Sequence, residues 1–195
     1  MYYARNLSGL GLLLTLLLVL PGCDGLGDDL SPSGADRRAE VVAGSIGAQP
    51  SQQAADFRLT TSTGSDFTLS AHLQGGSDPA DVIVLYFTMW CPVCLAHSDY
   101  LYSQIIPRFR NRGRVVYALV DYVSGSVSGS RMQELANGYA GSDFVTLADV
   151  DQALQHQLNA TMATVVVIDR TGTILLNEDF RDGSALTASL EQQLP

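Results

Sequence analysis

Three continuous apolar runs constrain the fold more than any other feature: "DVIVLYFT" (Asp81 to Thr88), "RVVYALVDY" (Arg114 to Tyr122) and "TVVVID" (Thr164 to Asp169). Each is short and rich in β-branched residues, with little polar alternation, the pattern of a strand buried on both faces. Such strands need cover on two sides, and the intervening segments supply it. Pro92 to about Asn111 carries Leu95, Leu101, Ile105 and Phe109 at roughly helical spacing and stops at Gly113. Pro107 costs that helix a backbone hydrogen bond, which predicts a kink or an early end. Ser130 to Tyr139 and Val150 to Leu158 read as shorter helices, and Ser184 to Leu194 as a closing one. "VSGSVSGS" after Tyr122 reads as a loop, "DFVTLAD" as a short strand, and "TILLN" as a strand after a turn at Arg170 to Gly172. "DFRLTTSTGSDFTLS", from Asp56, alternates apolar and polar positions about a Thr-Gly-Ser turn, as a leading hairpin does. Strands alternating with helices predict a layered α/β domain.

The chain of 195 residues holds one such domain with segments to spare. The spare length is at the N-terminus. One arginine, Arg5, precedes an apolar run from Leu10 to Leu20, and Pro21, Gly22 and Cys23 follow. Eleven residues are too few for a membrane span, which needs roughly 20, but they suit the apolar part of an export signal. The end of the run resembles a bacterial lipoprotein signal, with Leu20 three positions before Cys23 and small Gly22 directly before it. That resemblance implies cleavage after residue 22 and lipid on the Cys23 thiol, anchoring the protein to a membrane that faces the periplasm or the cell exterior. Pro21 is a less common choice within such a signal, and an ordinary signal cut elsewhere or an uncleaved anchor is the alternative. Residues 23–55 are rich in Gly, Ser, Asp, Ala and Gln, too poor in apolar surface to order themselves, and read as a flexible tether. As a coil of about 30 residues it would span roughly 30 Å. The folded domain is placed at residues 56–195.

All eleven basic residues are arginines, set against twenty acidic ones, for a formal charge of −9. That balance repels phosphate backbones and argues against nucleic-acid partners. No glycine-rich phosphate loop lies between a strand and a helix, so no nucleotide cofactor is expected. "RFRNRGR" sets Arg108, Arg110, Arg112 and Arg114 at the end of the long helix, where cations complement the helix dipole. The cluster reads as a solvated rim, with a docking patch for an acidic partner as the alternative.

With Cys23 assigned to lipid, two cysteines remain, in "YFTMWCPVCLAHS". Cys91 falls between a buried strand and a helix opened by Pro92, a position where the missing N–H does no harm. The helix N-terminus there favours a thiolate at Cys91, and Cys94 lies one turn deeper. That division of labour suits dithiol exchange, with Cys91 attacking and Cys94 resolving the mixed disulfide. A bridge closing so short a loop removes little unfolded-chain entropy, so a purely structural staple is the weaker reading. A soft-metal site is a third, since His97 follows Cys94 by three and can share its helix face. Zinc would want a fourth ligand, and neither His72 nor His156 is placed by any motif. Covalent haem is excluded, because Leu95 stands where attachment needs a histidine.

"VIVLYFTMWCPVC" followed about seventy residues later by "TVVVIDRTGTIL" resembles the redoxin branch of the thioredoxin superfamily, especially membrane-anchored thiol-disulfide oxidoreductases of the TlpA and ResA type. The resemblance spans about Asp56 to Pro195. It implies a thioredoxin-like three-layer sandwich, a central mixed sheet flanked by helices with an N-terminal β-hairpin extension. It also implies Cys91 as nucleophile and Cys94 as resolving thiol, with Trp90, Pro92, Val93, Met162 and Ala163 around them. The expected partners are protein thiols and disulfides outside the cytoplasm and an electron donor, with the protein a monomer, no cofactor and no resident metal. Ala163 stands where the thioredoxin family carries a cis-proline, so the Met162–Ala163 peptide is expected to be trans. Peroxiredoxins are relatives too: Thr88 matches their Thr-x-x-Cys element, but this sequence has no arginine at the position, near that of Ala163, where they carry one. Thiol peroxidase is therefore the alternative, and a copper-carrying domain a further one.

Overall fold

The three apolar runs lie side by side in a seven-stranded sheet in the computed structural model, which describes residues 40–195. In chain order the elements are β1 (Arg58–Thr61), β2 (Asp66–Thr68), α1 (Leu69–His72), β3 (Val82–Thr88) and α2 (Pro92–Tyr100), then a π-helical segment (Leu101–Ile105) and α3 (Ile106–Phe109). They continue with β4 (Val115–Asp121), α4 (Val127–Ala136), β5 (Phe144–Ala148), α5 (Ala153–Gln157), β6 (Thr164–Asp169), β7 (Ile174–Asp179) and α6 (Ser184–Gln193). The strand order is β2-β1-β5-β4-β3-β6-β7. β3 and β5 flank β4 in parallel, β6 and β7 add antiparallel strands on one side, and the β1–β2 hairpin extends the other. The sheet is mixed and carries the leading hairpin, as expected.

Alternation along β3, every residue of which is buried, separates two cores. Val82, Val84 and Tyr86 face Leu101, Ile105 and Phe109 of the long helix and Leu186, Leu190 and Leu194 at the C-terminus. Ile83, Leu85 and Phe87 face Leu154 and Leu158 together with Phe57, Phe67 and Leu69. Each buried side chain of this size contributes about 1.5–3 kcal/mol, so the period-two strand fixes which helices lie on which face. The result is the three-layer architecture with helices on both sides.

Three local expectations are revised. Pro107 does not end the long helix, which runs on to Phe109; the turn before it widens, and the Ile106 N–H reaches back five residues to the Leu101 carbonyl. A π-helical register ahead of the proline absorbs the mismatch that the missing N–H creates. Second, α4 begins within the serine-glycine stretch expected to be a loop, because Ser126 Oγ accepts the Gly129 N–H at 3.0 Å and caps the helix.

Third, the compact unit starts at Val41 and not at Asp56. Ser51 donates its N–H to the Ile174 carbonyl, the Ile174 N–H donates to the Gln52 carbonyl, and Ala54 donates to the Gly172 carbonyl, all within 2.9 Å. Polar backbone pairing, without much apolar burial, seats this stretch on the β6–β7 turn. The export signal, Cys23 and the tether up to residue 39 lie outside the described residues.

Candidate functional site

β3 ends at Thr88, and the chain turns sharply before α2. Trp90 takes a positive φ of 59°, unusual for a residue with a side chain, and its N–H donates to Thr88 Oγ1 at 3.0 Å. Thr88 is fully buried, so its hydroxyl acts as a bracket for this turn. The Trp90 side chain is half-buried, its ring 6.5 Å from that of Tyr139. Cys91 then adopts the extended N-cap conformation, φ −72° and ψ 163°, with Pro92 opening the helix.

The cap side chain is the Cys91 sulfur itself, which accepts the Cys94 N–H at 3.3 Å. The Cys94 sulfur stands 3.1 Å from it. Cys91 is partly exposed, whereas Cys94 is fully buried. Their acidities diverge accordingly. The Cys94 thiol and then the Cys94 backbone N–H hold the Cys91 thiol below its ordinary pKa, because both stabilise its anion. Burial pushes the Cys94 thiol up.

Behind the pair, the Tyr86 hydroxyl meets His97 Nδ1 at 3.0 Å. Burial, with a further contribution from Cys94, drives the Tyr86 hydroxyl far above its ordinary pKa, and burial also lowers that of His97. Both are therefore neutral hydrogen-bonding groups around neutral pH. Nothing marked Tyr86 in the sequence beyond a hydroxyl-bearing aromatic in a strand of mostly apolar residues.

The opposite wall is Met162 and Ala163. Among the described residues no peptide bond is cis, so the Met162–Ala163 bond is trans. Ala163 sits in the left-handed region at φ 64°, donates its N–H to the Phe87 carbonyl at 3.0 Å, and accepts the Phe180 N–H at 2.9 Å. Met162 is 41% exposed and brings Sδ to 3.5 Å from Cys91 Sγ. Val93, His97, Met162, Ala163, Asp179 and Arg181 line an open groove of about 600 Å³ beside the pair.

The Redoxin family profile matches residues 49–183. The chain belongs to the redoxin family. A search of curated proteins returns no match. Among solved structures, this redoxin is similar to DsbF of MTB, in mixed oxidised and reduced forms, at 23% identity and TM-score 0.54, covering 70% of this chain and 94% of that one. It is similar to Peroxiredoxin Q of Xanthomonas campestris at 18% identity and TM-score 0.55, covering 70% and 90%. A thioredoxin-like protein of Aeropyrum pernix matches at 17% identity and TM-score 0.53, covering 70% and 89%. At such identities the likeness is one of fold.

The redoxin fold thus gathers Trp90, Cys91, Pro92, Val93, Cys94, Met162 and Ala163 into one region, with His97 and Tyr86 behind. Other candidates are placed elsewhere. His72 contacts Asp78 and stacks on Phe67 in the other core layer, and His156 is solvent-exposed. Arg131, which the sequence did not single out, pairs with buried Glu134, which also accepts the Ser62 hydroxyl at 2.6 Å. The arginine rim is paired within the chain: Arg108 and Arg112 with Glu191, Arg110 with Asp143, and Arg114 with Asp78. Internal pairing offsets the charge that a docking patch for an acidic partner would need.

Proposed function

We propose that this redoxin is an extracytoplasmic thiol-disulfide oxidoreductase working through Cys91 and Cys94. The observation that carries the reading is an asymmetric pair at 3.1 Å, one sulfur accessible and acidified, the other buried and kept protonated. The Cys91 thiolate attacks one sulfur of a partner disulfide. The partner's other sulfur leaves with the bonding electron pair, and a mixed disulfide remains. Cys94 then gives up its proton and attacks Cys91 Sγ; the intermolecular bond breaks, the partner's second thiolate departs, and a Cys91–Cys94 bond of about 2.05 Å forms. Run backwards, the same steps oxidise a partner dithiol.

Purified protein should catalyse reduction of a protein disulfide by dithiothreitol. Cys91→Ser should abolish the catalysis, and Cys94→Ser should accumulate a mixed disulfide. Unchanged rates in both variants would overturn the assignment, and peroxide consumption without disulfide exchange would transfer it to a thiol peroxidase. The extracytoplasmic placement is supported by the signal-like Leu10 to Cys23 segment, with membrane attachment through lipid on Cys23. No helix of the described residues is long and apolar enough to cross a membrane. Cys23→Ser should move the protein from the membrane fraction to the soluble one.

A further inference from the structure

Three sulfurs converge where the groove meets the start of α2. Cys91 Sγ lies 3.1 Å from Cys94 Sγ and 3.5 Å from Met162 Sδ, with Met162 arriving from 71 residues further along the chain. We propose that, with both thiols reduced, these three side chains bind a soft monovalent cation, cuprous copper. The proposal rests on the oxidoreductase reading only in requiring the pair as a dithiol.

The donor set selects the ion. Thiolate and thioether ligands favour copper(I), whereas a thioether is a weak, uncharged acceptor that offers little to a hard cation. Among the described residues no three of His, Cys, Asp and Glu converge on one point, so a four-coordinate zinc site lacks ligands. His97, the histidine best spaced to help the cysteines, is engaged elsewhere: its Nδ1 meets the Tyr86 hydroxyl and its ring packs 4.6 Å from that of Phe180. The third ligand is therefore sulfur.

Access and geometry agree. Met162 and Cys91 both reach solvent, so an ion can be handed over without opening the core. Sulfurs placed trigonally at a metal–thiolate distance of about 2.3 Å lie about 4 Å apart, so the present separations need to open by less than about 1 Å. Methionine's three rotatable bonds and the exposed cap residue allow that. Both thiols lose their protons to solvent, two copper–thiolate bonds and one copper–thioether bond form, and no electron changes hands. The copper-loaded state and the disulfide exclude one another, since each uses the same sulfur electron pairs.

The test is an anaerobic titration of the reduced full-length protein with copper(I) held by bathocuproine disulfonate, with X-ray absorption on the loaded protein. One copper per chain and three sulfur neighbours are expected. Met162→Leu, which conserves volume, should weaken binding by about tenfold or more and leave two sulfurs; Cys91→Ser should abolish it. Failure of the reduced protein to take copper from the chelator overturns the proposal. So does an unchanged affinity and sulfur count in Met162→Leu. Disulfide reduction measured on the same preparation without copper reports separately on the oxidoreductase reading, so either can fail alone.

Discussion

Ala163 donates its backbone N–H to the carbonyl oxygen of Phe87 at 3.0 Å, a bond that a proline at this position cannot make. The φ of 64° is equally out of reach for a ring locked near −65°. Ala163→Pro should therefore not restore a family-type groove; it should destabilise the domain by about 3 kcal/mol or more, read as a lower denaturant midpoint. Ala163→Gly should be neutral or stabilising by up to about 1 kcal/mol, because the left-handed conformation costs alanine more than glycine. A midpoint for Ala163→Pro equal to the parent's would contradict this account.

The two thiols should differ in alkylation. Because the Cys91 pKa is lowered, its thiolate persists below the ordinary thiol range, and its reaction with iodoacetamide should slow only as pH falls through that lowered value. Cys94, buried and shifted upward, should resist until the domain unfolds. Peptide mass mapping across a pH series checks both, and equal labelling would refute the asymmetry.

Trp90 is the only tryptophan of the chain, so its fluorescence reports on this turn alone. Thr88→Val preserves shape but leaves the Trp90 N–H without its acceptor. A loss of about 1 to 2 kcal/mol is expected, with a shifted emission maximum. An unaltered spectrum would mean that the hydroxyl does not hold the turn.

Glu191 joins Arg108 and Arg112, tying α3 to α6. Arg112 first, and Arg108 after it, hold the Glu191 carboxyl below its ordinary pKa. The stability this contributes is fully present above the ordinary carboxylate pKa and is lost as pH falls through the lowered one. Glu191→Gln should flatten the acid limb of a Tm-against-pH curve, and high salt should shrink the difference. Superimposable curves for the two proteins would rule the triad out as a stabilising contact.

Elements that announce themselves by period were legible in the sequence. Runs such as Thr164–Asp169 bury both faces, and Leu101, Ile105 and Phe109 repeat every four residues on one side of a helix. The N-cap at Ser126 was hidden because a serine among serines and glycines looks like loop until its hydroxyl finds Gly129. The seating of Ser51 to Ala54 was hidden for a related reason, since backbone hydrogen bonds leave no side-chain pattern. At the site, the short-range geometry of Cys91 and Cys94 follows from their spacing. The approach of Met162 and the Tyr86–His97 contact depend on how β3, α2 and the loop before β6 pack together.

The pairing of Ser51 and Gln52 with Ile174 has a consequence for self-association. β7 is an outer strand, and a bare outer strand offers unpaired N–H and C=O groups to a strand from another molecule. Here its first residue is already taken, and Asn177 further along donates its side-chain amide to the Ala48 carbonyl at 2.7 Å. The other margin, β2, is only three residues long and carries the Arg58–Asp66 ion pair beside it. The segment read as tether thus also guards a margin of the sheet, and shortening the chain to begin at Asp56 would uncover β7 to edge-to-edge aggregation.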